Sequence, residues 1–460
     1  MSEGDTPDAA NSADATPAKP RKRRHLADLT PLKVSPAYAR LWLGAVITGV
    51  GTQMTIVAVG LQIYAISEST AAVAAVGGIA LLPMILAGPL GGMAADAFDR
   101  RLILIIVATV MFLSTAGIAA LAWLEAGMQG TGQHVPLWPF YVFTTLSTMS
   151  GTVMGATRTA VYPRILPAEL IPSAAALTGL MVGLQVMVGP ALGGVLVAAI
   201  GYPWTFVVDL LLSLAGFMGI ITLPRIAPLA EVARPGWTSF KQGIAFLRTA
   251  PQIGAGFIID LLAMGLGRPY VLLPAAAVGV IGGGPITVGI VTAAGALGSF
   301  LTSVFSGRVR HVRRQGLAIG RSVELYGLFV LLFGVVLAAM STGLFGQPTA
   351  EFSNVNWVAL ILGSLAFVGM GATDEVSAIF RTAMLLTTVP DEMRGRLQGV
   401  FFAVVTGGPR LGDIYAGVVA GLVVLWFPPA LGGVLIFLGV ALTLRLTPSL
   451  RNYRSEIAVD

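Results

Sequence analysis

The sequence predicts an all-α membrane protein of twelve transmembrane helices in two pseudo-symmetric six-helix bundles, with both termini cytoplasmic. Three observations lead there. Of 460 residues, 55% are hydrophobic and only 11% are charged, and the mean hydropathy is +0.84, which excludes a soluble domain. About a dozen apolar runs approach the roughly 20 residues that a helix needs to cross a hydrocarbon core of about 30 Å. The basic residues fall in alternate turns, and short motifs recur across the two halves.

The predicted spans are 38–65, 71–95, 102–124, 137–158, 173–200, 204–223, 253–275, 286–306, 317–340, 356–381, 397–423 and 427–445. Backbone groups in lipid must bond within their own segment, so these runs are helices rather than strands. Turns 66–70, 125–136, 201–203, 276–285, 341–355 and 424–426 contain no Lys or Arg. The other turns and both tails carry most of the basic residues, including Arg308, Arg310, Arg313 and Arg314, which places those turns and both termini in the cytoplasm. Five of the seven tryptophans (Trp123, Trp138, Trp204, Trp357 and Trp426) fall at outer helix ends, as an aromatic belt requires.

Residues 1–30, with the basic run KPRKRR at 19–24, read as a disordered basic cytoplasmic tail, and no secretory signal is expected before the first span. Residues 31–223 form the first bundle, 252–446 the second and 447–460 a cytoplasmic tail. Between the bundles, 224–251 breaks the hydropathy and reads as a linker. Its stretch WTSFKQGIAFL at 237–247 has helical period and suits an amphipathic helix in the inner interface.

An internal repeat supports two halves. Arg158-Thr159-Ala160 recurs as Arg381-Thr382-Ala383, and LPAEL at 166–170 as VPDEM at 389–393, both displaced by 223 positions. Gly189-Pro190-Ala191-Leu192-Gly193 returns as Gly408-Pro409-Arg410-Leu411-Gly412, displaced by 219. The slip of about four residues is one helical turn.

Several classes of chemistry are excluded. There is no cysteine for a disulfide or thiolate site, and the three histidines (His25, His134 and His311) lie in the tail or loops. The four lysines all lie outside the spans, and no G-x-x-x-x-G-K-[S/T] phosphate loop occurs. Neither a metal nor another cofactor is expected, and any intramembrane proton carrier must be a carboxylate. The net charge of +6 is dispersed among short loops and does not suggest nucleic-acid binding.

The turn GGMAADAFDRR at 91–101 resembles the signature loop of the major facilitator superfamily, G-x-x-x-D-(R/K)-x-G-(R/K)-(R/K). Gly92, Asp96, Arg100 and Arg101 match, while Ala97 replaces a basic residue and Asp99 a glycine. Gly189-Pro190-x-x-Gly193-Gly194 resembles the fifth-helix motif of exporters in that superfamily, with Gln185 where a glycine is usual. Its glycines permit close helix approach and its proline removes one backbone hydrogen bond. VPDEMRGRLQGVF from Val389, TGGPRLGD at 406–413, LKVSPAY at 32–38 and the stretch 59–66 resemble the branch containing the enterobactin exporter. The resemblance implies parallel repeats and a cavity lined by the first, fourth, seventh and tenth helices. It also implies alternating access and export of siderophores or drugs in exchange for protons.

Ionisable residues inside spans are costly and therefore candidates for function. Asp260 in the seventh span is the expected proton carrier, and Arg268, eight residues on, the expected attractor of an anionic substrate. On a continuous helix the two share a face about 12 Å apart, with Met264 between, too far to pair directly. Each has the alternative of a packed ion pair with another helix. Arg410 and Asp413 occur in one repeat only, opposite Ala191 and Gly194, and either satisfy each other as an i,i+3 pair or perform the same proton cycle. Asp374 and Glu375 lie in the inner part of the tenth span. Asp96, Asp99, Arg100, Arg101, Arg158 and Arg381 form an expected cytoplasmic gate, in which Arg158 and Arg381 bridge to Asp96 or Asp99. The resemblance places Asp96 near the inner end of the eleventh helix. Gly189, Pro190, Gly193 and Gly194 are packing residues. Asp209 and Glu324 lie near span ends, within a short reach of the interface.

The reading is a secondary transporter that exports a siderophore-like or amphiphilic small molecule in exchange for protons. A broad drug or lipid exporter is the alternative within transport. A polytopic membrane enzyme or receptor finds no nucleophile–His pair, metal cluster or phosphate loop to support it. The expected partners are a small molecule, protons and the bilayer, with the chain a monomer. Arginine outnumbers lysine 24 to 4, which suggests a GC-rich bacterial genome and hence the plasma (inner) membrane.

Overall fold

The computed structural model describes residues 28–226, 237–305, 312–342 and 349–454, which are mostly helical and contain no strand. The first helices start where the sequence supplies caps. Helix α1 (Pro36–Ser67) is capped by Ser35, whose Oγ accepts from the Tyr38 N–H at 3.2 Å, with Pro36 at the first position. Ser69 caps α2 (Thr70–Ala97) in the same way, and Asp99 caps α3 (Arg100–Met128). Helix α4 (Trp138–Ile165) follows. The helical run Ile171–Ile221 folds over at Gly201, whose φ of 77° suits glycine, with Pro203 just beyond. Its limbs, 171–200 and 202–221, are α5 and α6.

The second half comprises α7 (Pro251–Leu266), α8 (Gly284–Val304), α9 (Gln315–Ser341), α10 (Trp357–Thr388), α11 (Asp391–Leu422) and α12 (Phe427–Leu446). Among the described residues, nine helical segments are long and apolar enough to cross a membrane, the α5–α6 run counting as one. The polar α4 and α11 fall outside that group, and α11 carries the site charges Arg410 and Asp413. Outward side chains such as Met218 and Leu446, 74% and 73% exposed, suit lipid rather than water.

The sequence treats 253–275 as one continuous span, and the structure corrects that. Helix α7 stops at Gly267, a 3-10 turn runs over Pro269–Leu272, and a short helix, Leu273–Gly279, completes the crossing. Pro269 brings no N–H and disfavours helix in the residue before it, so the chain breaks at Arg268. Within the linker, Trp237–Phe246 is helical, while 227–236 lies outside the described residues. Beyond α12, Pro448–Arg451 forms a short helix, and the Tyr453 hydroxyl lies 2.8 Å from that of Thr387.

Glycines set how closely the helices meet. Gly189 lies against Gln53 and the Val50 carbonyl of α1, and Gly193 lies 2.9 Å, as measured from where a Cβ would stand, from the Met54 carbonyl. The repeat does the same in the second half, with Gly408 and Gly412 packing on Met264 of α7. Gly194 faces the other half, against Pro285 and Gly289 of α8. Gln185 in the usual glycine position donates to the Ala45 carbonyl at 2.8 Å, into room left by Gly49. Without a hydrophobic force between helices in lipid, such close backbone approach supplies the packing.

We call the end where α1 begins and α12 finishes the terminal end. There the halves keep separate cores, Tyr38, Leu104, Val161 and Leu177 in one and Ile253, Phe257, Leu397 and Val400 in the other. Towards the far end one core crosses between them, joining Val59, Val73 and Ala74 to Val271, Leu272 and Val288. Thr70 Oγ1 also donates to the Gly417 carbonyl at 2.8 Å, tying α2 to α11.

Candidate functional site

A cavity of about 540 Å³ lies between the halves, below the crossing core. Helices α1, α2, α5, α8 and α11 and the broken segment after α7 form its wall. Much of that wall is apolar, including Ile56, Val57, Val76, Met84, Val186 and Val288. Its polar groups are few: Gln53, Thr292, Thr406, Tyr270 and the charges Arg268, Arg410 and Asp413.

The break in α7 decides what Arg268 does. Freed from helical geometry, its guanidinium lies 4.9 Å from the centre of the Tyr270 ring, and its Nε stands 3.8 Å from Asp413 Oδ1. Arg410 approaches the other oxygen, with 3.6 Å between its terminal nitrogen and Asp413 Oδ2. One carboxylate thus stands between two guanidiniums. Both separations exceed a hydrogen bond, so the arginines remain open to another acceptor. The Tyr270 ring stacks edge-on against Phe367 at 5.0 Å, which fixes the platform under Arg268.

A second charged group lies towards the terminal end of α7. Asp260, only 3% exposed, forms an ion pair with Arg381 of α10, whose other terminal nitrogen lies 3.9 Å from Asp374 Oδ1. Asp260 and Arg268 do not share a wet cavity as the sequence suggests, because Asp260 is buried on Arg381 and the acid in the cavity is Asp413. Among the described residues Arg381 pairs with acids on α7 and α10 and not with the loop carboxylate Asp99. Glu375 diverges from Asp374 and accepts from Ser303 Oγ of α8 at 2.6 Å.

In the 91–101 turn, Asp99 Oδ1 accepts from the N–H of Arg101 at 2.9 Å and faces the Ile226 N–H at 3.4 Å. Arg100 is buried and donates to the Ala160 carbonyl of α4 at 3.0 Å. Arg101 donates to the Ile221 carbonyl at the end of α6 at 2.8 Å. The turn is therefore tied to α4 and α6 of its own half. The Asp96 and Gly92 side positions lie outside the described residues, as does His311. Arg158 lines a small polar cavity with Asp209 rather than reaching Asp99.

A match to the transmembrane secretion effector family of the major facilitator superfamily covers residues 26–457. The chain belongs to that family. Enterobactin exporters EntS of Shigella boydii serotype 18 and Escherichia coli K12 are each 26% identical over 441 residues, covering 94% of this chain and 97% of theirs. Among solved structures, a D-xylose–proton symporter matches with a TM-score of 0.65 at 15% identity, over 90% of this chain and 98% of its own. The nucleoside transporter NupG matches with a TM-score of 0.61 at 14% identity, over 91% and 99%. At those identities the structures show the fold. The protein is a multi-pass membrane transporter of the major facilitator superfamily and not an enzyme.

Sequence reading missed some of what this transporter places around the site. Tyr270 escaped notice because its role depends on the break at Arg268. Gln53, an amide within the first span, falls under the rule that polar residues inside spans mark function. The sequence puts Asp209 within a short reach of the interface, whereas it is buried, with Thr55 Oγ1 donating to its Oδ2 at 2.6 Å.

Proposed function

We propose that the protein is a twelve-helix exporter of the bacterial inner membrane, with both termini cytoplasmic, that moves an anionic, amphiphilic small molecule outward in exchange for protons. Counting α5 and α6 separately and adding α4 and α11 to the apolar segments supports twelve crossings, and the basic residues of the alternate turns support a cytoplasmic terminal end. A monomer suffices, because the cavity lies between halves of one chain.

The observation that carries the reading is Asp413 between Arg268 and Arg410 on the cavity wall. An anion entering from the cytoplasm competes with Asp413 for the two guanidiniums. Asp413, itself only 9% exposed, then loses its counter-ions, which makes a bare carboxylate costly, and takes a proton from the outside. After the substrate leaves outside, the protonated site turns inward, where the arginines again favour the Asp413 carboxylate and the proton departs to the cytoplasm. The separate cores at the terminal end and the shared core at the far end favour a cytoplasm-facing form of this cycle.

The apolar wall supports an amphiphile, and the EntS relatives, which bear the name enterobactin exporter, support a siderophore-like one. The same wall keeps a broad drug or lipid exporter as the second reading. The test uses inverted membrane vesicles with an imposed proton gradient. Adding enterobactin, a simpler catecholate or a cationic drug should dissipate the gradient only for a transported compound. Dissipation by catecholates and not by cationic drugs is expected; the reverse would replace the anionic reading with the drug reading. No dissipation by a compound that is nonetheless exported would remove proton exchange.

A further inference from the structure

Asp209 takes no part in the cycle just described, yet it is among the most enclosed acids in the molecule. It stands on α6, eight residues past Gly201, and is 3% exposed. Its Oδ2 accepts from Thr55 Oγ1 of α1 at 2.6 Å, and Thr115 of α3 lines the same site. Its Oδ1 rests against Gly51, where any Cβ would collide with it. The acid is thus fitted into a socket made by the bare backbone of α1.

From Asp209 a cavity of about 20 Å³, room for a water, extends towards the terminal end. Thr48, Thr52, Ser213 and Arg158 supply its other polar lining. The three hydroxyls donate to backbone carbonyls, Thr48 to Leu212 at 3.4 Å, Thr52 to Thr48 at 3.0 Å and Ser213 to Leu210 at 2.7 Å. Their oxygens keep lone pairs for accepting. Arg158 Nε is enclosed and meets no acceptor among the described residues. The cavity therefore has a carboxyl at one side, a guanidinium donor at another and hydroxyl acceptors between. A water there can accept from Arg158 and donate to Asp209.

The charged surroundings are simple. On the described elements around this cavity, α1 contributes threonines and Gly51, α3 contributes Thr115, α6 contributes Ser213, and α4 contributes the one charged lining group, Arg158. Helix α1 is the partition between this cavity and the central one. Thr48, Thr52 and Thr55 face Asp209, while Gln53, Ile56 and Val57 face the central cavity.

We propose that Asp209 is a second proton-binding carboxyl, placed in the first half and connected by one water to Arg158. On loading, the carboxylate forms an O–H bond with a proton that leaves hydronium as water; on unloading that bond breaks and water carries the proton away. The proposal rests on the proton-exchange reading. Loading cancels the charge that Thr55 and Arg158 answer, which loosens α1 from α4 and α6 and alters the central cavity through the opposite face of the same helix.

The test uses the chain's lack of cysteines. Spin labels at positions 169 and 313, both exposed at the terminal end of opposite halves, report the separation of the halves in purified full-length transporter as pH is varied. The wild type should show a pH-dependent change in that separation. Asp209→Asn should shift its midpoint by about one pH unit or more and bind one proton fewer across it, counted with an indicator dye. Thr55→Val, which keeps the acid but removes a donor to its charged form, should move the midpoint upward, and serves if Asp209→Asn does not fold. Unchanged midpoints and proton counts in both variants, beside a titrating wild type, would overturn this inference and leave proton exchange standing. A wild type that binds no proton over the range would overturn both.

Discussion

Arg381 on α10 pairs with Asp260 on α7, 121 positions away in the chain, and holds Asp374 of its own helix on its other side. Buried, hydrogen-bonded charges lose more when one partner is removed than when both are. Arg381→Met should therefore destabilise the transporter by about 3–5 kcal/mol. Asp260→Asn should cost less, since Asp374 continues to answer the arginine. The double variant should be milder than the sum of the two, by about 0.5–3 kcal/mol. Unfolding of detergent-solubilised protein, followed by tryptophan fluorescence, measures all three, and strict additivity would show that the pair is not coupled.

Asp413→Asn tests the cavity directly. It should abolish proton-driven accumulation of substrate in inverted vesicles and retain substrate exchange at equal pH, because Arg268 and Arg410 remain. Asp260→Asn should lower the accumulation rate by a smaller factor, since Asp260 does not line the cavity. If Asp413→Asn still concentrates substrate, the exchange of anion for proton at this carboxyl is wrong.

The packing glycines separate into sites with and without room. At Gly412 an added Cβ collides with the Met264 carbonyl, whereas at Gly151 nothing stands within 4 Å. Gly412→Ala should destabilise by about 1–3 kcal/mol, the usual cost of forcing extra volume into a packed contact. Gly151→Ala should be neutral or stabilising by up to about 1 kcal/mol, because it removes backbone freedom from the unfolded chain. Thermal unfolding of the two variants side by side checks the contrast.

Single cysteines at positions 134 and 351 should react with an impermeant maleimide in intact cells, and those at 311 and 394 only after the membrane is opened. No native cysteine interferes. In the structure, His134 is tied to Glu125 at 2.6 Å and is 57% exposed, so it is accessible at the far end. Labelling of 311 but not 134 in intact cells would invert the topology.

Which runs form helices long and apolar enough to cross a membrane was largely legible in the sequence by itself, because hydropathy is a property of consecutive residues and about 20 of them in a row suffice to span a bilayer. The span starts that the sequence puts at 38, 71 and 102 fall close to the helix starts at Pro36, Thr70 and Arg100, because the caps Ser35, Ser69 and Asp99 act over only two or three residues. The repeat that sets Gly193 on Met54 and Gly412 on Met264 was also written along the chain, as a displacement of 219 positions. The tertiary structure decided which charge meets which. Asp260 and Arg268 share a face on a continuous helix, but Pro269 breaks that helix, and their partners, Arg381 and Asp413, come from α10 and α11. Asp209 is held by Thr55, 154 positions away, in a socket that exists only because Gly51 lets α6 close on α1. Ion pairing within lipid depends on helix–helix distance and rotation, which local sequence does not encode, so the acids were visible as candidates while their roles waited on packing.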